Sequence, residues 1–337
     1  LAYWLDMDSF NGILKELSAD NVVYAPVKMT GKGAFSGTDL VAYREISGVE
    51  QIEFKEKSRF SPKEIVFPIT QTLLYFTEEE YAVPGTGEKG IIVFCRPCDV
   101  NAFKRLDEIF LRNGGRVDSY YRELREKVRF FVIECAESFD SCFCVSMGTN
   151  RADGYDVFIR AAGGGFLCDV RGDLATLFEK FGGPAEMSLR FIEENKTKVS
   201  IPESVDQSVF GHGIWREYAS RCIACGRCTV SCPTCSCFTM QDIFYEDNPN
   251  RGERRRVWAS CMIDGFTAMA GGHGFREDHG DRMRFKLMHK ISDFRKRFGY
   301  NMCVGCGRCD DVCPEYISFA RAINRVDALM KEAVENV

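Results

Sequence analysis

No apolar run in the sequence approaches the ~20 residues that a membrane-spanning helix requires. The best, Ile91-Ile92-Val93-Phe94, is strand-sized. Neither sign of charge is in large excess, with 44 basic against 49 acidic residues and a net charge of −5. That balance argues against a nucleic-acid partner and against an anionic membrane surface. The start, Leu1-Ala2-Tyr3-Trp4-Leu5-Asp6, lacks the basic flank and long apolar core of an export signal, so a cytoplasmic location is expected. No Walker A motif occurs. Gly85-Thr86-Gly87-Glu88-Lys89-Gly90 matches G-x-G-x-x-G but precedes a strand instead of following one, so it fails as a dinucleotide fingerprint. Histidine is scarce: His212, His273, His279 and His289 show no metal-ligand spacing. No low-complexity tract is present.

Cysteine, in contrast, is abundant at 17 residues. In a reducing compartment, clustered cysteines bind metal more often than they form disulfides. These arrive in bursts with gaps of two and three residues, a spacing suited to co-ligands of one centre.

The apolar fraction of 45% and length of 337 residues suit about two soluble domains. Residues 1–210 read as a mixed α/β domain. A helix is expected over Phe10 to Leu17. Strands are expected at Ile65-Val66-Phe67, Thr72 to Phe76, Gly90 to Phe94 and Val128 to Ile133. After Phe94 comes a turn, Cys95-Arg96-Pro97-Cys98, then Asp99 as helix N-cap and a helical pattern from Val100 to Phe110. Gly163 to Gly165 mark a tight turn, and Pro202 to Ser208 a linker. Residues 211–337 read as an α-helical ferredoxin-like domain with a helical insert at about 235–300, clearest over Arg282 to Arg297. The fold class expected is therefore an α+β, mixed α/β domain followed by an α-helical two-cluster ferredoxin domain.

Cys222-Ile223-Ala224-Cys225-Gly226-Arg227-Cys228-Thr229-Val230-Ser231-Cys232-Pro233 is a C-x2-C-x2-C-x3-C-P run. Cys303-Val304-Gly305-Cys306-Gly307-Arg308-Cys309-Asp310-Asp311-Val312-Cys313-Pro314 repeats it. Soft thiolates suit iron–sulfur cubanes, and the fourth cysteine of each run ligates the other run's cluster in two-cluster ferredoxins. One 4Fe-4S cluster is then held by Cys222, Cys225, Cys228 and Cys313. The other is held by Cys303, Cys306, Cys309 and Cys232. Zinc also uses C-x2-C, but in two pairs and not as three close ligands with a fourth before proline.

Cys98 and Cys135 follow two predicted strands, so neighbouring strands would bring both thiols to one sheet edge, where Cys142 and Cys144 could close a four-cysteine site. The other reading is a set of buried structural thiols. Cys95 competes with Cys98 but sits at a strand end, facing the core. Cys168 reads as a core residue. Cys235, Cys237 and Cys261 read as packing near the clusters, with a further metal site as the rival. The basic stretches Arg254-Arg255-Arg256 and Arg282 to Arg297 read first as solvated helix faces. Their functional alternatives are a docking surface for an acidic partner or positive charge that raises cluster potential.

With those residues in hand, the chain resembles the iron–sulfur subunit of anaerobic sulfite reductases nearly end to end. The likeness is carried by Arg44 to Gly48, Cys98 to Ala102, Glu134 to Phe139, Cys142 to Asn150, Arg251 to Arg256, Ala270 to Arg276 and both ferredoxin runs. Many of these are shared with the related beta subunit of cytoplasmic sulfhydrogenases, which supplies the alternative: the iron–sulfur component of an NAD(P)-linked hydrogenase. The stretch from Phe143 to Asn150 and the basic insert look more like the sulfite reductase branch. The resemblance implies an anaerobic heterotrimer in which a flavin subunit oxidises NADH, this subunit conducts electrons, and a sirohaem subunit reduces sulfite to sulfide. It also implies a third 4Fe-4S cluster on Cys98, Cys135, Cys142 and Cys144. No catalytic residue is expected in this chain, nor flavin, sirohaem or nucleotide bound by it alone.

Overall fold

The computed structural model describes residues 1–335. The first half runs β1 (Ala2–Leu5), α1 (Met7–Asp20), β2 (Asn21–Met29), β3 (Leu40–Glu45), β4 (Thr70–Phe76), β5 (Tyr81–Ala82), β6 (Gly90–Cys95), α2 (Pro97–Asp107), α3 (Ser119–Arg125), β7 (Val128–Ile133), β8 (Val157–Ala162), β9 (Gly165–Val170), α4 (Ala175–Phe181) and β10 (Gly183–Pro184). The second half runs α5 (Trp215–Arg221), α6 (Arg227–Val230), β11 (Phe238–Tyr245), β12 (Asn248–Trp258), α7 (His279–Met288), α8 (Phe294–Phe298), α9 (Arg308–Asp311) and α10 (Phe319–Glu335). Among the described residues, no helix is long and apolar enough to cross a membrane.

The larger sheet has the order β10-β1-β9-β8-β7-β6-β2-β3, with β2, β6, β7 and β8 parallel at its middle. Strand β6 shows why it lies there. Ile92 and Phe94 face one core with Phe10, Ile13 and Leu14 of α1, while Ile91, Val93 and Cys95 face another with Val100, Phe103 and Leu106 of α2. An apolar side chain at every position suits a strand covered on both faces, each large one contributing about 1.5–3 kcal/mol on burial. Helix α1 starts where Asp6 accepts the Ser9 N–H at 2.7 Å.

A second sheet, β11-β12-β4-β5, is antiparallel and draws strands from both halves of the chain. Residues 235–300 thus form a hairpin before turning helical. The α-helical description of the second half holds for α5, α7, α8 and α10 but omits this hairpin. Arg254, Arg255 and Arg256 lie on strand β12 and not on a helix face, and they pair with Asp242, Glu253 and Asp118. Ile65-Val66-Phe67 is no strand. Pro62–Ile65 makes a single tight turn after Ser61, and Val66 and Phe67 enter the core from a loop. Asp99 is not the N-cap of α2. Arg96 holds that position and Asp99 lies in the first turn, its carboxylate accepting the Arg96 N–H at 3.3 Å.

Candidate metal centres

The two ferredoxin runs fold alike. Each wraps through two residues in the left-handed region, Ala224 (φ 54°) and Gly226 (φ 73°) in the first, Gly305 (φ 63°) and Gly307 (φ 70°) in the second. Each then enters one helical turn, α6 or α9, that carries the third cysteine. Three of the four left-handed positions are glycine, as the backbone demands; Ala224 bears about 1–2 kcal/mol of strain to do the same. The turns α6 and α9 pack on each other, so each run's fourth cysteine reaches the partner loop.

One cavity is lined by Cys222, Cys225, Cys228, Cys309 and Cys313. A second is lined by Cys232, Cys303, Cys306 and Cys309. The first thus joins three thiols of one run to Cys313 and Cys309 of the other, and the second joins three thiols of one run to Cys232 of the other. Among the described residues no three His, Cys, Asp or Glu side chains converge on a single-ion site; the thiols surround gaps instead. Four soft sulfur donors around a gap fit an iron–sulfur cubane.

Strands β6 and β7 are parallel neighbours, with Cys95 opposite Val132. Their ends therefore deliver Cys98 and Cys135 to one sheet edge, the edge where open α/β sheets bind ligands. Cys144 lies within electrostatic range of Cys142, Cys135 and Cys98. Cys95 points away into the core at 0% exposure, and Cys168 is equally buried in the opposite core.

This third group abuts the second cavity. The Cys142 thiol donates to the Cys306 carbonyl at 3.4 Å, Phe143 N–H donates to the Gly305 carbonyl at 2.7 Å, and Thr149 Oγ1 to the Val304 carbonyl at 2.6 Å. Cys98 packs beside Cys306 and Val304. On its other side the group borders open space: Cys135 lines a cleft of about 670 Å3 with Arg151 and Phe191.

Polar side chains that sequence reasoning missed surround the sulfurs. Arg96 Nη1 lies 3.9 Å from Cys135 Sγ, Lys57 Nζ 3.8 Å from Cys142 Sγ, and Asn195 Nδ2 3.6 Å from Cys144 Sγ. Lys63, Lys286 and Lys290 are buried at 3%, 4% and 2% exposure. Lys286 and Lys290 belong to the basic stretch whose alternative reading is positive charge near the clusters; they are one helical turn apart, in phase with the apolar stripe Met283, Leu287, Ile291 and Phe294. Burial pushes the Cys303 thiol up to about 12, and Cys306 and Cys144 up to about 11. Such thiols keep their protons until a cation replaces them, which is what cluster iron does. Cys232 moves the other way: a hydrogen bond from Cys235 and the nearby Lys290 and Lys286 charges outweigh burial and lower it. A hydrogen bond from Cys261 likewise lowers Cys237, to about 6. Cys235 and Cys261 are buried, and Cys237 half-buried, close to these ligands.

Residues 221–317 match the family model of a 4Fe-4S dicluster domain. Over 338 aligned residues, 96% of this chain and 97% of the relative, the sequence is 29% identical to sulfhydrogenase 2 subunit beta of Pyrococcus furiosus. The chain is thus similar over nearly its whole length to a sulfhydrogenase beta subunit, and its second half carries an iron–sulfur dicluster domain.

Proposed function

We propose that this chain is the electron-relay subunit of a multi-subunit oxidoreductase. It holds three 4Fe-4S clusters in a row: Cys98, Cys135, Cys142 and Cys144; then Cys303, Cys306, Cys309 and Cys232; then Cys222, Cys225, Cys228 and Cys313. The observation that carries this reading is the exchange of fourth cysteines between the two thiol-lined cavities, with the third group hydrogen-bonded to the same loop as the middle cavity. Bound clusters supply one-electron carriers. The chain's own residues hold them close together, exclude water from the middle site and leave both ends of the row near solvent. At one end lies the cleft at Cys135. At the other, Cys225 is exposed, with Ile223 at 58% and Tyr316 at 87% exposure beside it.

The near-full-length likeness supports a hydrogenase-type complex, in which the relay serves a hydrogen- or sulfur-converting subunit. The second reading is a sulfite reductase, with an NADH-oxidising flavin subunit upstream and a sirohaem subunit downstream. It is favoured by the resemblance of the Phe143 to Asn150 stretch and the basic insert to that branch. Iron and sulfide assays on the anaerobically purified chain should give about twelve of each for three cubanes. About eight would remove the group at Cys98, and iron-free protein after anaerobic reconstitution would end the relay reading. Co-purified partners then separate the two complexes: hydrogen-dependent dye reduction marks the hydrogenase, and sirohaem bands with sulfite-dependent dye oxidation mark the reductase.

A further inference from the structure

We propose that Lys286 and Lys290 are the built-in counter-charges of the paired cluster sites, Lys286 serving both and Lys290 only the site of Cys303, Cys306, Cys309 and Cys232. The inference rests on the two-cluster reading and adds to it the residues that set how readily those sites accept an electron.

Eight lysine and arginine side chains are buried among the described residues. Three of them have carboxylate partners: Arg256 with Asp118, Arg282 with Asp264, and Arg308 with Asp99. The other five, Lys63, Arg96, Arg105, Lys286 and Lys290, take part in none of the ion pairs found there. All five lie within electrostatic range of cysteines. Arg96 approaches Cys135, Arg105 lies in the field of Cys303, and Lys63 in that of Cys235 and Cys232. Lys286 donates to the Cys228 carbonyl at 3.2 Å and Lys290 to Thr234 Oγ1 at 2.6 Å. A carbonyl or a hydroxyl cannot offset a buried ammonium, whose desolvation costs several kcal/mol. The missing negative charge is what a cubane with four thiolate ligands brings.

Position decides which site each lysine serves. Lys286 lines both thiol-walled cavities, whereas Lys290 lines only the second. Four residues apart, they project from adjacent turns of one helical segment, over α7 and the wider turn that follows it. Reduction adds one electron, and so one negative charge, to a cluster. It breaks no bond and takes no proton from the lysines, which are already charged. A fixed ammonium at close range in a low-dielectric interior favours that added charge.

The test is a reductive titration of the whole chain with dithionite and mediators, followed by EPR, on wild type, Lys286→Met and Lys290→Met, with iron assayed in each. Methionine keeps the length of the side chain and removes its charge. Lys286→Met should lower the midpoint potentials of both paired clusters, and Lys290→Met that of one, by at least tenfold in the reduction equilibrium, or 59 mV for a one-electron couple. Lys290→Arg should restore the wild-type value, and Lys296→Met, at an exposed site on the same segment, should change nothing. Iron-replete variants with unmoved potentials overturn the proposal while leaving the relay reading intact; an iron-free wild type overturns the relay reading itself. Should a methionine variant lose its iron, the arginine variant decides. Iron retained with arginine supports a requirement for charge, and iron lost from both overturns it.

Discussion

Arg308 and Asp99 form an ion pair with Nη1 2.6 Å from Oδ1, the two side chains 1% and 0% exposed, although 209 residues separate them. Arg308 opens the helical turn that carries Cys309, and Asp99 follows Cys98. The pair therefore ties the ferredoxin loop to the edge of the parallel sheet. Ser58 completes it, accepting from Arg308 Nε through its carbonyl and from Nη2 through its hydroxyl, both at 3.0 Å.

Asp99→Asn should destabilise the protein by about 3–5 kcal/mol, because it leaves a buried guanidinium without its counter-charge. Replacing both partners, Asp99→Leu with Arg308→Met, should recover most of that loss. Urea denaturation of the three proteins checks this, and a single variant as stable as wild type would refute the pairing.

Gly305→Ala should damage the group at Cys98, Cys135, Cys142 and Cys144 from outside it. Besides the left-handed φ of 63°, a Cβ there would lie 2.5 Å from the Phe143 carbonyl carbon, pushing the Cys142–Cys144 loop away. Iron should fall by about four of twelve per chain. Gly31→Ala, with a similar φ of 66° and open space around it, should cost stability without loss of iron.

Acid should weaken the fold partly through His289. Burial, aided by the neighbouring Lys290 charge, lowers this imidazole from 6.5 to about 4. Between those values the unfolded chain binds a proton that the folded chain does not, so stability falls as pH drops from about 6.5 toward 4. The urea midpoint should decline between pH 7 and pH 5, and His289→Gln should decline less. Equal declines would exclude His289 as a contributor.

Cys98→Ala should remove one EPR-active cluster and leave the ferredoxin pair. Cys95→Ala, which trims a fully buried side chain between Tyr43 and Val100, should lower thermal stability and keep every cluster. The reverse result would exchange their roles.

Local pattern made a good part of this legible. Each C-x2-C-x2-C-x3-C-P run is complete within a dozen residues, and both lie in the stretch that matches a 4Fe-4S dicluster domain. The strand of Ile91 to Phe94 appeared through its continuous apolar run, and the helix of Phe10 to Leu17 through its own pattern. What was missed depends on partners distant in sequence. Strand β12 is rich in arginine and reads as a solvated run until β4 and β11 pair on either side of it. Ile65 to Phe67 has strand composition, but the preceding Pro62 turn leaves it no ladder to join.

The order of residues alone settles the chemistry available: thiols in paired ferredoxin spacing, because most of a cubane's ligands lie on one short loop. Folding in three dimensions is what puts Cys98 and Cys135 on a shared sheet edge, seals their loop against Gly305, and turns Lys286 and Lys290 inward from a basic helix. Strand order and the burial of a charge depend on contacts between residues far apart in the chain, and no local spacing encodes those.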